Sequence, residues 1–438
     1  MQKYSIIVIL ILFLGTSCSL KTVSTYLSQS DIVHQESAEK ATNTNACNKT
    51  ISYAPDSVNP DHTPKRYVRV VCQFINNSNG SLTFNDEKAA TDFAEKMIAA
   101  ANDRLRNNQK MWLPAGNNTP VLPINFEFVL DKTPENNYSG VFIKFEEDDD
   151  LAYFIKTGKR KNVFNTAIHT KYKYREGEVL NFYMMEHPPD SVGRPNYKAS
   201  CDGIGLHNFL KFTGTYQNLY DTIHHDNGTH TLTIPSKVIG IMLHEVGHTL
   251  GLAHTWGTND GCDDTPYNNN CWNFVDTKPC NTWGNISNNL MDYNAYQHAV
   301  SPCQIGKIQY NFAKLGSSQR QFLMPVWCTY KAEKTISIGL FQNIEWLSAR
   351  DLEGDIIITN GAKLTIKCRV ALPKGAKIIV KPNATLVLDG AEITNLCGDQ
   401  WEGIVIESSK KNKGTVIFKN KPQLNNMKQK PEAEINTF

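Results

Sequence analysis

The chain has 438 residues, of which 45 are lysine or arginine and 43 are aspartate or glutamate, so its formal net charge is only +2. A nearly neutral chain without a long basic run is not expected to bind nucleic acid. The length exceeds that of an ordinary domain and predicts two folded units together with processing segments.

The first 18 residues have the pattern of an export signal, in which Lys3 supplies a positive charge and residues 6–14 are apolar. This apolar run is too short to cross a membrane as a helix. Small residues precede Cys18, and the segment resembles a bacterial lipoprotein signal. The resemblance implies that Cys18 is lipidated and attaches the protein to a membrane, such as the bacterial outer membrane; cleavage without lipidation is the alternative. We therefore expect an extracellular or cell-surface protein with disulfides.

Residues 19–65 are polar and weakly periodic, which predicts a tether or a pro-segment. Further along, alternating and helical patterns predict a helix at 86–105 and strands at 67–75, 122–130, 140–145 and 179–185. An acidic run at 146–150 and a histidine-rich stretch at 221–230 resemble metal sites only superficially, and both are interpreted as polar loops.

The stretch HEVGHTLGLAH, residues 244–254, contains the parts of a metal site and its catalytic base. On a helix, His244 and His248 project from one face and can bind one cation. Glu245 lies at the edge of that face, where it can take a proton from a water molecule on the metal. Gly251 lets the backbone leave the helix with a positive φ, so that His254 can return as a third ligand. Three imidazoles with an open fourth position are typical of catalytic zinc, whereas ordinary core or surface histidines are the alternative.

This stretch fits the signature HExxHxxGxxH, and the chain resembles the metzincin zinc peptidases. Downstream, NNLMDY at 288–293 is similar to the methionine turn of that family. The segments DDTP at 263–266 and SPCQIGKIQ at 301–309 are most similar to its pappalysin branch, which includes ulilysin-like and cytophagalysin-like enzymes. The resemblance implies an α+β catalytic domain at 66–330, with a twisted sheet and an active-site helix.

The same resemblance implies roles for two residues of the methionine turn. Met291 is expected to pack beneath the zinc ligands and to keep their geometry fixed. Tyr293 is expected to donate a hydrogen bond to the tetrahedral intermediate, and a tyrosine packed in the core is the alternative.

Pappalysin-like enzymes carry two crossed bridges around the active-site loop, which implies the disulfides Cys262–Cys280 and Cys271–Cys303 here. Cys47 stands alone in the polar segment. It is either a disulfide partner or a thiolate that occupies the zinc and keeps the enzyme latent.

The resemblance also implies a calcium site after the zinc helix. Asp263, Asp264 and Thr265 lie where the related enzymes place calcium ligands, and hard oxygen ligands suit calcium. A capped turn is the structural alternative.

Residues 331–420 alternate short β-rich runs with turns at intervals of roughly twenty residues. This pattern predicts a small all-β, repeat-like module, such as a short parallel β-helix, with a role in attachment, substrate binding or spacing. Residues 421–438 are predicted to be disordered.

Two functions are compatible with these features. The first is a secreted or surface-anchored zinc endopeptidase that cleaves proteins or peptides. The second is a binding or adhesion protein in which a metzincin-like domain serves as a scaffold for the β module. Because Glu245 accompanies all three histidines, the sequence favours the enzyme.

Overall fold

The computed structural model describes residues 22–27, 46–80, 84–192, 194–197, 201–213, 236–256, 259–268, 287–293, 296–428 and 436–437. Several predicted features lie outside these residues: Cys18 and the export signal, the histidine-rich stretch at 221–230, Cys271 and Cys280. Among the helices that are described, none combines the length and the apolar character needed to cross a membrane.

The described α-helices all lie between residues 87 and 321. They are α1 (Glu87–Arg106), α2 (Asp149–Ala152), α3 (Ala167–Tyr172), α4 (Ser236–Thr249), α5 (Pro302–Ala313) and α6 (Ser318–Gln321).

The first strand, β1 (Val23–Tyr26), belongs to the C-terminal module. The α/β domain contains the strands β2 (Arg66–Asn77), β3 (Phe126–Leu130), β4 (Val141–Glu146), β5 (Leu180–Met184), β6 (Asp202–Leu206) and β7 (Phe209–Thr213). They form one sheet in the order β3-β2-β5-β7-β6, with β4 also paired to β2. All neighbours are parallel except β6, which runs antiparallel to β7 at the edge of the sheet.

The central position of β2 follows from its composition, because it is apolar along most of its length and nearly every residue after Arg69 is buried. Helix α1 covers one face of the sheet with an apolar stripe that includes Phe93 and Met97, each of which contributes roughly 1.5–3 kcal/mol by burial. Asp86 caps this helix by accepting a hydrogen bond from the Ala89 amide at 2.8 Å.

The predicted elements of this domain are all present, with one shifted boundary. The strand predicted at 122–130 begins only at Phe126, because Asn125 has a left-handed φ of +57° that interrupts the extended backbone.

The strands of the C-terminal module are short and follow one another at regular intervals. They are β8 (Ile336–Ile338), β9 (Asn343–Trp346), β10 (Arg350–Asp351), β11 (Ile356–Ile358), β12 (Lys363–Ile366), β13 (Val370–Ala371), β14 (Lys377–Val380), β15 (Thr385–Asp389), β16 (Glu392–Thr394), β17 (Gly403–Ser408), β18 (Thr415–Lys419), β19 (Gln423–Leu424) and β20 (Asn436–Thr437).

These strands build a three-sided parallel β-helix. One face contains β8-β11-β14-β17, the second β9-β12-β15-β18 and the third β10-β13-β16-β19. Parallel pairing in register stacks Ile336, Ile356, Ile378 and Ile404 in one column of the core. The repeat seen in the sequence therefore corresponds to successive coils, each of which buries its apolar side chains against the next.

Parts of the segment at 19–65, predicted to be a tether or a pro-segment, are ordered: β1 pairs antiparallel with β17, and Cys47 forms a disulfide with Cys368, one of the two roles expected for it. The predicted disorder at 421–438 does not hold for β19 in the last coil or for β20, which pairs with β1.

The α/β domain and the β-helix meet around a buried carboxylate. Asp351 accepts hydrogen bonds from Arg320 at 2.6 Å and from Arg369, and Arg66 lies 3.6 Å from it. Burial alone would raise the pKa of Asp351, but the guanidinium groups of Arg369, Arg66 and Arg320 outweigh it and lower this pKa to about 2. A further disulfide, Cys328–Cys397, joins the end of the α/β domain to the module.

Candidate metal centre

Helix α4 carries the first two candidate ligands on one face. Its other face is buried in the core of the α/β domain through the apolar residues Val238, Ile239, Met242, Leu243 and Val246. This packing leaves His244 and His248 on the opposite side, one turn apart, with a ring-centroid distance of 4.9 Å.

The turn after α4 brings the third candidate ligand back. Gly251 has a φ of +97°, and a Cβ there would lie 2.3 Å from Nδ2 of Asn311, so the position requires glycine. The Nε2 atom of His254 lies 3.1 Å from that of His244 and 3.0 Å from that of His248.

Hydrogen bonds orient two of these rings. Nδ1 of His244 lies 2.7 Å from the carbonyl oxygen of Leu290, and Nδ1 of His248 lies 3.0 Å from that of Leu252. Each Nδ1–H can donate to its carbonyl, which leaves the Nε2 lone pair directed towards the centre. Tetrahedral zinc with Zn–N bonds of about 2.0–2.1 Å would separate neighbouring nitrogens by about 3.3 Å, close to the spacing found here.

The electrostatic environment also suits metal ligands. Burial lowers the pKa of His244 to about 3 and that of His254 to about 4, and the pKa of His248 is lowered for the same reason. All three rings are therefore neutral near pH 7, which is the state that binds a metal. The residues present fit a zinc ion.

The side chain of Glu245 extends from α4 to the edge strand β6. Burial raises the pKa of its carboxyl group to about 7, although the Gly205 amide opposes this shift by donating to Oε2 at 2.8 Å. Strand β6 passes so close to the helix that a Cβ on Gly205 would lie 2.3 Å from the carbonyl oxygen of Glu245. A carboxyl group with this proton affinity can exchange a proton near neutral pH.

The methionine turn lies beneath and beside the histidines. Met291 is fully buried, and a Cβ on Gly247 of α4 would lie 2.5 Å from its sulfur atom. Tyr293 is 47% exposed, with its ring centroid 4.9 Å from that of His254 and 5.7 Å from that of His244. Its side chain therefore reaches the open side of the histidine cluster.

Sequence reasoning missed two contributors to the site. Trp256 stacks on His254, and its position two residues after the third histidine was the available signal. The contact of Gly205 with Glu245 joins elements forty residues apart, and no local pattern indicates it.

The predicted disulfide pairing is wrong, because Cys262 is bonded to Cys303. The predicted bridges Cys262–Cys280 and Cys271–Cys303 are both incompatible with that bond. The start of α5 packs beside the loop after α4 and brings the two α-carbons within 5.6 Å, a separation that sequence spacing does not reveal.

The calcium site at Asp263, Asp264 and Thr265 is not supported. Both carboxylate oxygens of Asp264 cap α5, because they accept hydrogen bonds from the Ser301 hydroxyl at 2.7 Å and the Cys303 amide at 2.9 Å. Thr265 is buried and donates to Asp260 at 2.7 Å, whereas Asp263 is exposed. The capped turn, which was the alternative, accounts for this segment.

No protein-family model and no curated protein matches the chain. Among solved structures, mature mirolysin of Tannerella forsythia in complex with a cleaved peptide is 18% identical, with a TM-score of 0.39, over 59% of this chain and 96% of that one. Mirolysin in complex with compound 9 is 16% identical, with a TM-score of 0.37, over 60% of this chain and 96% of that one.

A mutant of Tannerella forsythia promirolysin is 17% identical, with a TM-score of 0.35, over 62% of this chain and 88% of that one. Because these TM-scores are low, the proposal for the function of the site rests on the residues of the site itself.

Proposed function

We propose that the chain is a zinc-dependent endopeptidase of the metzincin type, with proteins or peptides as substrates. One observation carries the proposal: three histidine Nε2 atoms converge at about 3 Å beside a half-buried glutamate. A structural zinc site would normally use four protein ligands, whereas three ligands next to a general base are typical of hydrolysis.

A zinc ion held by the three histidines would acidify a water molecule and polarise the peptide carbonyl. Glu245 accepts the proton of the attacking water and then delivers it to the leaving nitrogen. The Gly205 amide holds Oε2 of Glu245, which leaves Oε1 for this transfer. Tyr293 donates a hydrogen bond from its hydroxyl to the oxyanion that develops on the carbonyl.

Strand β6 is the part of the fold best suited to bind the substrate backbone. It is the edge strand of the described sheet and lies against α4 next to Glu245. An extended peptide can add to this edge and receive main-chain hydrogen bonds, which places a scissile bond over the histidines.

We further propose that the enzyme acts outside the cytoplasm, secreted or anchored through lipidated Cys18. The three described disulfides support an oxidising compartment, since such bonds rarely persist in the cytosol.

The test is to measure metal content and cleavage of a denatured protein with the purified wild-type chain and with Glu245→Ala. We expect one zinc per chain in both, with chelator-sensitive cleavage by the wild type and none by the variant. Glu345→Ala is the matched control, because it removes an exposed carboxylate of the β-helix, and it should cleave normally.

Two results would overturn the proposal. The first is cleavage by Glu245→Ala at the wild-type rate, which would remove the assigned base. The second is a wild-type chain that binds zinc but cleaves none of a varied set of substrates, which would favour the scaffold function.

A further inference from the structure

The last coil of the β-helix carries a concentration of positive charge. Residues 403–428 contain six lysines and one acidic residue, Glu407, although the whole chain is nearly neutral. Lys410, Lys411 and Lys413 lie in the turn between β17 and β18, and all three are exposed. The carboxylate of Glu407 lies 3.8 Å from a lysine of the preceding coil, and none of the three lysines forms an ion pair with a described residue.

Residues 409–413, the lysine turn, are held by hydrogen bonds and by close packing. The Ser409 amide donates to the carbonyl oxygen of Asn412 at 2.7 Å, and the Asn412 amide donates to Oγ of Ser409 at 3.1 Å. A Cβ on Gly414 would lie 2.4 Å from the carbonyl oxygen of Val380, so the chain just after the turn packs directly on the preceding coil. The lysines at the tip of the turn therefore lie on an ordered support at the surface.

Protection of an open sheet edge does not account for this charge. Strand β18 is the last strand of its sheet, and lysines on such a strand hinder the addition of a strand from another chain. Lys419, at the end of β18, has a position suited to that role. The lysines of the lysine turn precede the strand and leave its main-chain groups uncovered, so their charge needs another explanation.

The lysine turn lies next to the point where the N-terminal segment joins the β-helix. Strand β1 runs antiparallel to β17, and its first residue, Val23, is paired with Ser408, which directly precedes the lysine turn. Cys18, the site of lipid attachment in the proposed function, comes five residues before Val23 and is therefore at most about 18 Å from it. A lipid on Cys18 would hold the lysine turn close to a membrane surface.

We propose that the lysine turn binds the anionic headgroups of a lipid membrane, an inference that rests on the proposed attachment through Cys18. Lysine ammonium groups are attracted to anionic headgroups, and a basic patch beside a lipid anchor supplies a second attachment. Because the anchor keeps the turn near the membrane, a weak attraction is sufficient for this contact to form. The contact fixes the orientation of the β-helix, with its last coil against the membrane.

The test measures the contact of the lysine turn without the lipid anchor. The processed chain, which begins at residue 18, is prepared with Cys18→Ser so that it cannot be lipidated. It is then sedimented with vesicles made of equal parts of phosphatidylcholine and phosphatidylglycerol. We expect binding to these anionic vesicles, little binding to vesicles of phosphatidylcholine alone, and a steep loss of binding as the concentration of sodium chloride rises.

Two triple variants of this chain assign the binding to the lysine turn. The first neutralises the turn through Lys410→Gln, Lys411→Gln and Lys413→Gln. It should bind the anionic vesicles about 100-fold more weakly, since each lysine near such a surface contributes a factor of about five. The matched control removes three exposed lysines of the α/β domain and should bind as the parent chain does; its changes are Lys110→Gln, Lys159→Gln and Lys161→Gln.

Three results would overturn the inference. They are a Cys18→Ser chain that does not bind the anionic vesicles, equal weakening by both triple variants, and binding to soluble dextran sulfate without binding to vesicles. Lipidation of the wild type, detected by its mass, and cleavage by the zinc site are measured separately. A wild type without lipid or without cleavage would contradict the proposed function and leave the vesicle result intact.

Discussion

The indole of Trp256 stacks on the imidazole of His254, with ring centroids 4.5 Å apart and planes within 9° of parallel. The two ligands on α4 are oriented by hydrogen bonds from Nδ1 to backbone carbonyls, but Nδ1 of His254 has no such bond to any described residue. The stacked indole, assisted by the edge of the Tyr293 ring, therefore takes the place of that hydrogen bond in fixing the third ligand.

We predict that Trp256→Leu weakens zinc binding by about 10–100-fold, the usual cost of losing a group that orients a metal ligand. Trp256→Phe retains a stacked ring and should lose much less. Competition with a chromophoric chelator gives the affinities directly. Equal affinities of the leucine variant and the wild type would mean that the stacking is incidental.

We predict that Tyr293→Phe lowers kcat by about 10²-fold, the typical effect of removing one donor to an oxyanion. KM and zinc content should change little, because the ring contacts with His244 and His254 remain. Tyr296→Phe, which alters a nearby half-exposed tyrosine packed on Trp112, should have the kinetics of the wild type. An unchanged kcat in Tyr293→Phe would make Tyr293 a packing residue.

We predict that Asp351→Asn lowers the free energy of unfolding at pH 7 by about 3–5 kcal/mol, since it leaves buried arginines without their shared carboxylate. The pKa of Asp351 is lowered from 3.8 to about 2 in the folded state, so protonation favours unfolding. The contribution of ionised Asp351 to the free energy of unfolding is therefore nearly complete above about pH 4, and it is lost as the pH falls towards 2.

The measurement is urea denaturation of the wild type and the variant at several pH values. Their difference in stability should shrink by about 2 kcal/mol between pH 5 and pH 2. Asp399→Asn breaks an exposed ion pair and should change the stability by less than about 1 kcal/mol at any pH. A difference between wild type and Asp351→Asn that stays constant with pH would contradict the assignment.

We predict that the double variant Cys47→Ser, Cys368→Ser loses about 2–4 kcal/mol of stability and keeps its activity, because the bond holds the N-terminal segment to the β-helix, whereas the histidines belong to the α/β domain. Peptide mapping without reductant should recover Cys47 linked to Cys368. If Cys47 were instead a latency switch, Cys47→Ser would cleave substrate faster than the wild type.

The parts of the structure that the sequence predicts are those specified by local spacing. His244, His248 and Gly251 lie within one helical segment and its end, so their relative positions follow from helix geometry and from one residue with a positive φ. Likewise, the coils of the β-helix follow from a repeat in which identical apolar positions stack.

The parts of the structure that the sequence does not predict depend on contacts between residues that are distant along the chain. The bond of Cys262 with Cys303 depends on where α5 packs, and the pairing of β1 with β17 joins opposite ends of the chain. Neither contact leaves a periodic pattern, because each is decided by the packing of whole elements. The polarity of residues 19–65 predicts little core, yet main-chain pairing and a disulfide fix two of the described parts of this segment.

The pairing of β1 with β17 also imposes an order on assembly. Thr25 and Ile406, which are joined by a hydrogen bond, lie 381 residues apart, so β1 is synthesised long before its partner strand β17. Before β1 pairs with it, β17 has an unpaired edge, to which a strand of another chain could add. Strand β1 is thus synthesised early, but it covers the edge of β17 only late in folding.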